Sequence, residues 1–137
     1  MTTATSRRHF IAATALGGLG ALAMGSGAAA NRHSTRNQRP FGIALVGYGG
    51  YARLAGERLM TARTAKPAAI VTGSPDKART AAASLGIPDD AIYGYDDYAR
   101  IGNDDRIDAV HICLPVGLHA EHALKAFAAG KHVLCEK

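Results

Sequence analysis

The sequence predicts an α/β fold, a doubly wound parallel sheet, and three observations predict it. From Phe41 onward, short apolar runs alternate with segments of helical period, the pattern of strands joined by crossover helices. The runs are apolar throughout, as strands covered on both faces must be. A glycine-rich break, Gly47-Tyr48-Gly49-Gly50, separates the first run from the first helical segment.

The elements follow in order. The first strand is Phe41–Val46 (FGIALV). A helix is expected over 52–62, with Leu54, Ala55, Leu59 and Met60 near one face. The second strand is expected over 68–72. Ser74-Pro75-Asp76 opens a helix over 74–85: Ser caps it, Pro at the first position lacks only an N–H that would have no partner, and the acid meets the positive end. Gly86 ends it. A short strand over 91–94 and a short helix over 96–101 precede the fourth strand, 109–114, which Pro115 stops. His111 inside that strand reads as a satisfied core histidine. A helix over 119–129, with Leu124 and Phe127 among its apolar positions and Gly130 past its end, leads to the fifth strand, 132–135. Cys113 and Cys135 fall in these strands and are expected to be small buried apolar residues; in an exported protein a disulfide is the other reading.

The first thirty residues contain no acid, an Arg7-Arg8 pair and a run of Ala, Gly and Leu. Ser6-Arg7-Arg8-His9-Phe10-Ile11 resembles a twin-arginine export signal. Residues 10–24 are only weakly apolar and fall short of the ~20 that cross a membrane. Ala28-Ala29-Ala30 offers a small-x-small cleavage site. Residues 1–30 are therefore expected to be a signal peptide and the product periplasmic. Residues 31–40 (NRHSTRNQRP) form a polar, basic, aperiodic arm. The net charge of +5 belongs to these segments: Arg7, Arg8, Arg32, Arg36 and Arg39 supply all of it. The remaining domain, 41–137, is neutral, which argues against a nucleic-acid partner.

Gly47-x-Gly49-x-x-Ala52 matches the dinucleotide fingerprint, and its place between a buried strand and a helix makes it a Rossmann-type turn. Gly47 permits the tight turn, Gly49 lets the backbone approach a pyrophosphate, and Ala52 lets helix and strand pack closely. Tyr48, Gly50 and Tyr51 complete the phosphate-binding turn, with the N–H groups of the helix start aimed at the ligand. An NAD site usually carries an acid at the end of the second strand. This sequence has Thr72-Gly73-Ser74, with Lys77 and Arg79 close behind. Hydroxyls, amides and a lysine suit a 2′-phosphate, so NADP is expected in preference to NAD.

Leu114-Pro115-x-x-Leu118-His119-Ala120-Glu121 and Ala129-Gly130-Lys131-His132-Val133-Leu134-Cys135-Glu136-Lys137 resemble the glucose–fructose oxidoreductase/inositol dehydrogenase (Gfo/Idh/MocA) family, and within it the periplasmic glucose–fructose oxidoreductase branch. The resemblance implies that Leu114 and Pro115 end the fourth strand beside the cofactor and that His119 stands near the nicotinamide. It identifies Glu136 and Lys137 with the Glu-Lys of the family's Glu-Lys-Pro motif. Lys137 would be catalytic, orienting the substrate hydroxyl and assisting proton transfer. It also implies a sugar or polyol substrate, and homo-oligomers of the intact protein held by the arm. Val116 departs from the Asn often found after the proline. The sequence ends at Lys137, before the motif's proline, and the family's acid/base lies in a further domain; this sets the expectation that the chain alone binds nucleotide without turnover. A non-catalytic dinucleotide-binding module and an NAD-dependent lyase of the same family are the rival readings. His119 and His122 flank Glu121 near one helix face, but without a third ligand they read as helix-start and surface positions, not a metal site.

Overall fold

A computed structural model describes residues 39–137. The expected signal peptide, and the arm up to residue 38, lie outside the described residues. Five parallel strands form one sheet: β1 (Phe41–Val46), β2 (Ala65–Val71), β3 (Ile92–Tyr93), β4 (Ala109–Ile112) and β5 (His132–Cys135), in the order β3-β2-β1-β4-β5. The crossovers carry α1 (Gly50–Met60), α2 (Pro75–Leu85), α3 (Tyr98–Gly102) and α4 (His119–Ala128), with single 3₁₀ turns at Asp89–Ala91 and Val116–Leu118. The chain winds outward from β1 to β3, then returns to the other side of β1. The C-terminal ends of β1 and β4 thus flank the switch point where such sheets bind ligands.

The core is the sheet's middle: Leu45, Val46, Ile70, Val71, Val110 and Ile112 are fully buried. Strand β2 starts at Ala65, ahead of the expected 68. Pro67 interrupts the apolar run, yet the strand absorbs it at a register irregularity between Ile43 and Ala44 of β1, where a missing N–H is tolerated. Gly86 ends α2 in the left-handed conformation, φ 64°, as expected.

Helix α1 corrects the expected face. It begins at Gly50 and buries Ala52 and Gly56, with Ala55 and Leu59 partly covered, whereas Leu54 and Met60 stand exposed. The helix lies too close to the sheet for large side chains along its contact line: a Cβ on Gly56 would come within 2.9 Å of Leu85 and 3.1 Å of Leu45. Helix α4 likewise buries small and polar positions rather than its large apolar ones. Leu124 and Phe127 are 68% and 61% exposed, and His122 and Ala126 face inward. His122, expected at the surface, is buried because its ring finds partners: Nδ1 lies 2.9 Å from the Tyr98 hydroxyl, and Tyr95 packs edge-on at 5.1 Å. A buried imidazole with such contacts is stable, and burial pushes its pKa down.

The cysteines also depart from expectation. Cys113 is half-buried, Cys135 is exposed on β5, and both are free thiols; Cys135 pairs across the sheet with Ile112, one residue before Cys113. Burial, followed by the charge of Glu136, pushes the Cys113 thiol up to about 12.

The opposite end of the sheet is tied down by charge. Arg39 donates to both carboxylate oxygens of Asp108, at 2.7 and 2.9 Å, and Asp108 also accepts the Gly42 N–H at 2.8 Å. The last basic residue of the arm is therefore docked against the domain. Lys131, of the Ala-Gly-Lys-His-Val run, is buried and donates to the carbonyls of Asp104 and Ile107.

Candidate dinucleotide site

Gly47 leaves β1 with φ +81° and donates its N–H to the Val71 carbonyl at 2.8 Å. A Cβ there would also lie 2.6 Å from the Leu114 side chain. The turn thus demands glycine twice, by backbone and by space. Gly49 differs: its backbone is extended (φ −94°, ψ −168°), and a Cβ on Gly49 or Gly50 would meet nothing within 4 Å. The fold leaves the space beside them open. Gly49 caps α1 without a side-chain capping bond, and no acid stands in the first turn. The first intrahelical bond runs from Arg53 N–H to the Gly49 carbonyl, so the amides of Gly50, Tyr51 and Ala52 precede the ladder. An open glycine cradle at an uncapped, acid-free helix start fits a diphosphate. Ala52, fully buried, holds the helix against the sheet.

An open cleft of about 720 Å³ runs from this turn to α2, lined by Tyr48, Gly49, Gly50, Arg53, Asp76, Lys77 and Thr80 among others. Lys77 and the glycine turn, linked only by inference in the sequence, share one groove. Sequence reasoning takes Asp76 only as a helix-start acid and passes over Arg53. The only available signals were the position of Arg53 directly after the fingerprint and that of Asp76 in the first turn of α2. Thr72 is buried, and its hydroxyl accepts the Ser74 N–H at 3.3 Å, inside the turn. Ser74 is the N-cap residue of α2 but makes no side-chain capping bond. Gly73 passes close to Tyr95, whose ring would lie 3.2 Å from a Cβ. Arg79 is exposed on α2.

The other half of the site lies past β4 and β5. His119 Nε2 donates to the Leu114 carbonyl at 2.7 Å; a carbonyl only accepts, so that nitrogen carries the proton. The bond braces the loop through Pro115 and Val116, both exposed. His111 is buried in β4, as expected, but its partner lies in the site: Nε2 is 3.0 Å from Oε1 of Glu136. The Tyr51 ring meets His111 edge-on, with centroids 6.0 Å apart at 89°. The His111 hydrogen bond, and then the nearby Tyr51 phenol, hold the Glu136 carboxyl below its ordinary value, and the same carboxylate raises the Tyr51 phenol. Lys137 follows, exposed. The glycine turn and the Glu136-Lys137 end therefore converge on the β1–β4 switch point.

The GFO/IDH/MocA oxidoreductase family, NAD-binding Rossmann fold, matches residues 41–137. The dTDP-3,4-didehydro-2,6-dideoxy-α-D-glucose 3-reductase of Streptomyces violaceoruber is 43% identical over 96 residues, covering 67% of this chain and 27% of that protein. The crystal structure of an aldose–aldose oxidoreductase from Caulobacter crescentus, complexed with glycerol, superposes with a TM-score of 0.69 at 37% identity, over 72% of this chain and 30% of that one. A scyllo-inositol dehydrogenase from Lactobacillus casei with bound NAD(H) and scyllo-inositol gives 0.62 at 29% identity, over 72% and 28%. The chain thus spans under a third of the length of these relatives.

Proposed function

The chain belongs to the Gfo/Idh/MocA oxidoreductase family, and from that membership and its own cleft we propose that its nucleotide is NADP rather than NAD, held by residues 41–137 for hydride exchange with a sugar or polyol in the whole protein. The observation that supports the choice is the cleft joining the glycine turn to Lys77 and Arg53. A 2′-phosphate carries close to two negative charges, and a lysine and an arginine beside one groove suit it. Asp76 lines the same groove and opposes them, but one carboxylate stands against two cations. The end of β2 itself presents Thr72, Gly73 and Ser74, without an acid to claim a ribose 2′-hydroxyl.

When bound, the nicotinamide gives or takes the hydride. The chain's part is to place it. The first turn of α1 grips the diphosphate, Leu114 and Pro115 border the nicotinamide half, and Lys137 orients the substrate hydroxyl with its positive charge. Sugar turnover belongs to the whole protein, and residues 41–137 supply its nucleotide-binding part. Homo-oligomers of the intact protein, held through the arm at 31–40, belong to the same reading.

Residues 1–30 are proposed as a twin-arginine signal delivering the protein to the periplasm, supported by Ser6-Arg7-Arg8-His9-Phe10 and the Ala28-Ala29-Ala30 site. Fusing residues 1–38 to a periplasmic reporter should give export that a lysine pair at 7 and 8 abolishes; unchanged export would refute it. Mass spectrometry of nucleotide released on denaturing the purified protein tests the cofactor. NADP is expected, and NAD alone would overturn the choice.

A further inference from the structure

We propose that Tyr51, Glu136 and His111 form a clasp across the β1–β4 switch point, in which Tyr51 and His111 are positioning residues that hold the Glu136 carboxylate in one orientation. The clasp ties the diphosphate-gripping helix α1 to the strand end that carries Lys137. It rests on reading the glycine turn as the nucleotide site.

Three elements supply it, and alternation along the strands explains why they meet. His111 pairs with Leu134 of β5. Glu136 lies two residues further on, so His111, Leu134 and Glu136 share one face of the sheet. That is the face α1 covers, since His111 also pairs with Leu45, against which Gly56 packs. Tyr51, in the first turn of α1, lies over His111 at that face. An imidazole buried in an otherwise apolar strand is costly without a partner. Its partner here lies beyond the strand, at the mouth of the site, 3.0 Å away. A glutamate at a strand end would otherwise sample several rotamers; the His111 imidazole at 3.0 Å, itself backed by the Tyr51 ring, selects one, and the Tyr51 phenol stands on the same side of the carboxylate. The groups facing the carboxylate are the Tyr51 phenol from α1, the His111 imidazole from β4, the neutral Cys113 thiol past β4, and the Lys137 backbone.

The test uses the full chain with ¹³C-labelled glutamate carboxyls, the Glu136 signal being assigned by its loss in Glu136→Gln. Tyr51→Phe removes one hydroxyl from an exposed ring and should leave the fold intact. The Glu136 titration midpoint should rise in Tyr51→Phe and in His111→Leu, and stay near the original in His111→Gln, which keeps a donor. NADP⁺ affinity should fall roughly fivefold in Tyr51→Phe, the usual worth of one hydrogen bond. In a Glu136→Gln background the tyrosine change should add little. An unmoved midpoint in Tyr51→Phe overturns the clasp whether or not nucleotide binds. A moved midpoint with unchanged affinity overturns its positioning role. Failure of the unaltered chain to bind any pyridine nucleotide instead overturns the reading of the site beneath it.

Discussion

A side chain on Gly47 would occupy the place of Leu114: its Cβ would stand 2.6 Å from Leu114 Cδ2. One half of the site thereby sets the shape of the other, because the tight turn after β1 is shut against the end of β4. Gly49, two residues on, has no such neighbour. The two glycines of the fingerprint should therefore fail differently. Gly47→Ala, strained at positive φ and crowded, should lose about 1–3 kcal/mol of stability together with nucleotide binding. Gly49→Val should keep its stability within about 0.5 kcal/mol yet bind nucleotide at least tenfold more weakly. Urea unfolding and calorimetric titration of both variants check this; equal stability losses would contradict it.

Lys77 and Arg53 should act on the 2′-phosphate alone. Each change to Ala is expected to weaken NADP⁺ binding by about 1.5–3 kcal/mol, the range for hydrogen bonds to charged groups, and to leave NAD⁺ binding within twofold. Asp76→Asn should favour NADP⁺ slightly. Parallel losses for both nucleotides would show that the cations serve the shared diphosphate instead.

Stability should decline in acid in two stages. Burial depresses His122 below its ordinary 6.5. The unfolded chain then takes up a proton that the folded one refuses, and stability falls as pH drops below that value. Asp104, held by Arg106, is lowered from 3.8 to about 2. Its contribution is complete above 3.8 and is lost as pH falls toward 2. Urea midpoints across the acid range should show both slopes, and Asp104→Asn should flatten only the lower one. A midpoint indifferent to pH below neutrality would refute the assignment.

At the far end of the sheet, Asp108 should matter more than its partner. Asp108→Ala leaves the Gly42 N–H without its acceptor and Arg39 with only the Asp105 and Pro40 carbonyls, and is expected to cost about 2–4 kcal/mol. Arg39→Ala removes a half-exposed cation and is expected to cost about 1 kcal/mol. Chemical denaturation of the two variants decides it, and a larger loss for Arg39 would count against the described pairing.

Local chemistry explains which parts of this fold were readable. The first strand, the Pro75–Leu85 helix with its Gly86 terminus, and the fingerprint turn each carry their own signals within a few residues. Helical period marks Leu54, Leu124 and Phe127 as apolar positions without revealing how closely the helix approaches the sheet, and all three stand exposed. Gly56 and Ala126, small enough for that approach, take the buried line. His122 goes inside on the strength of Tyr98, 24 residues away, which no local pattern announces. The same holds within the site. Glu136 and Lys137 were legible as a motif, whereas the reach of His111 to Glu136 depends on the register of β4 against β5. Arg53 and Asp76 enter through the packing of α1 beside α2.

The central claim is tested most directly by calorimetric titration of the full chain with NADP⁺ and with NAD⁺ at low salt. The account predicts saturable one-to-one binding of both, with NADP⁺ tighter by at least tenfold, about 1.4 kcal/mol. NAD⁺ binding as tightly as NADP⁺ would contradict the cofactor choice, and no heat of binding from either would contradict the site itself.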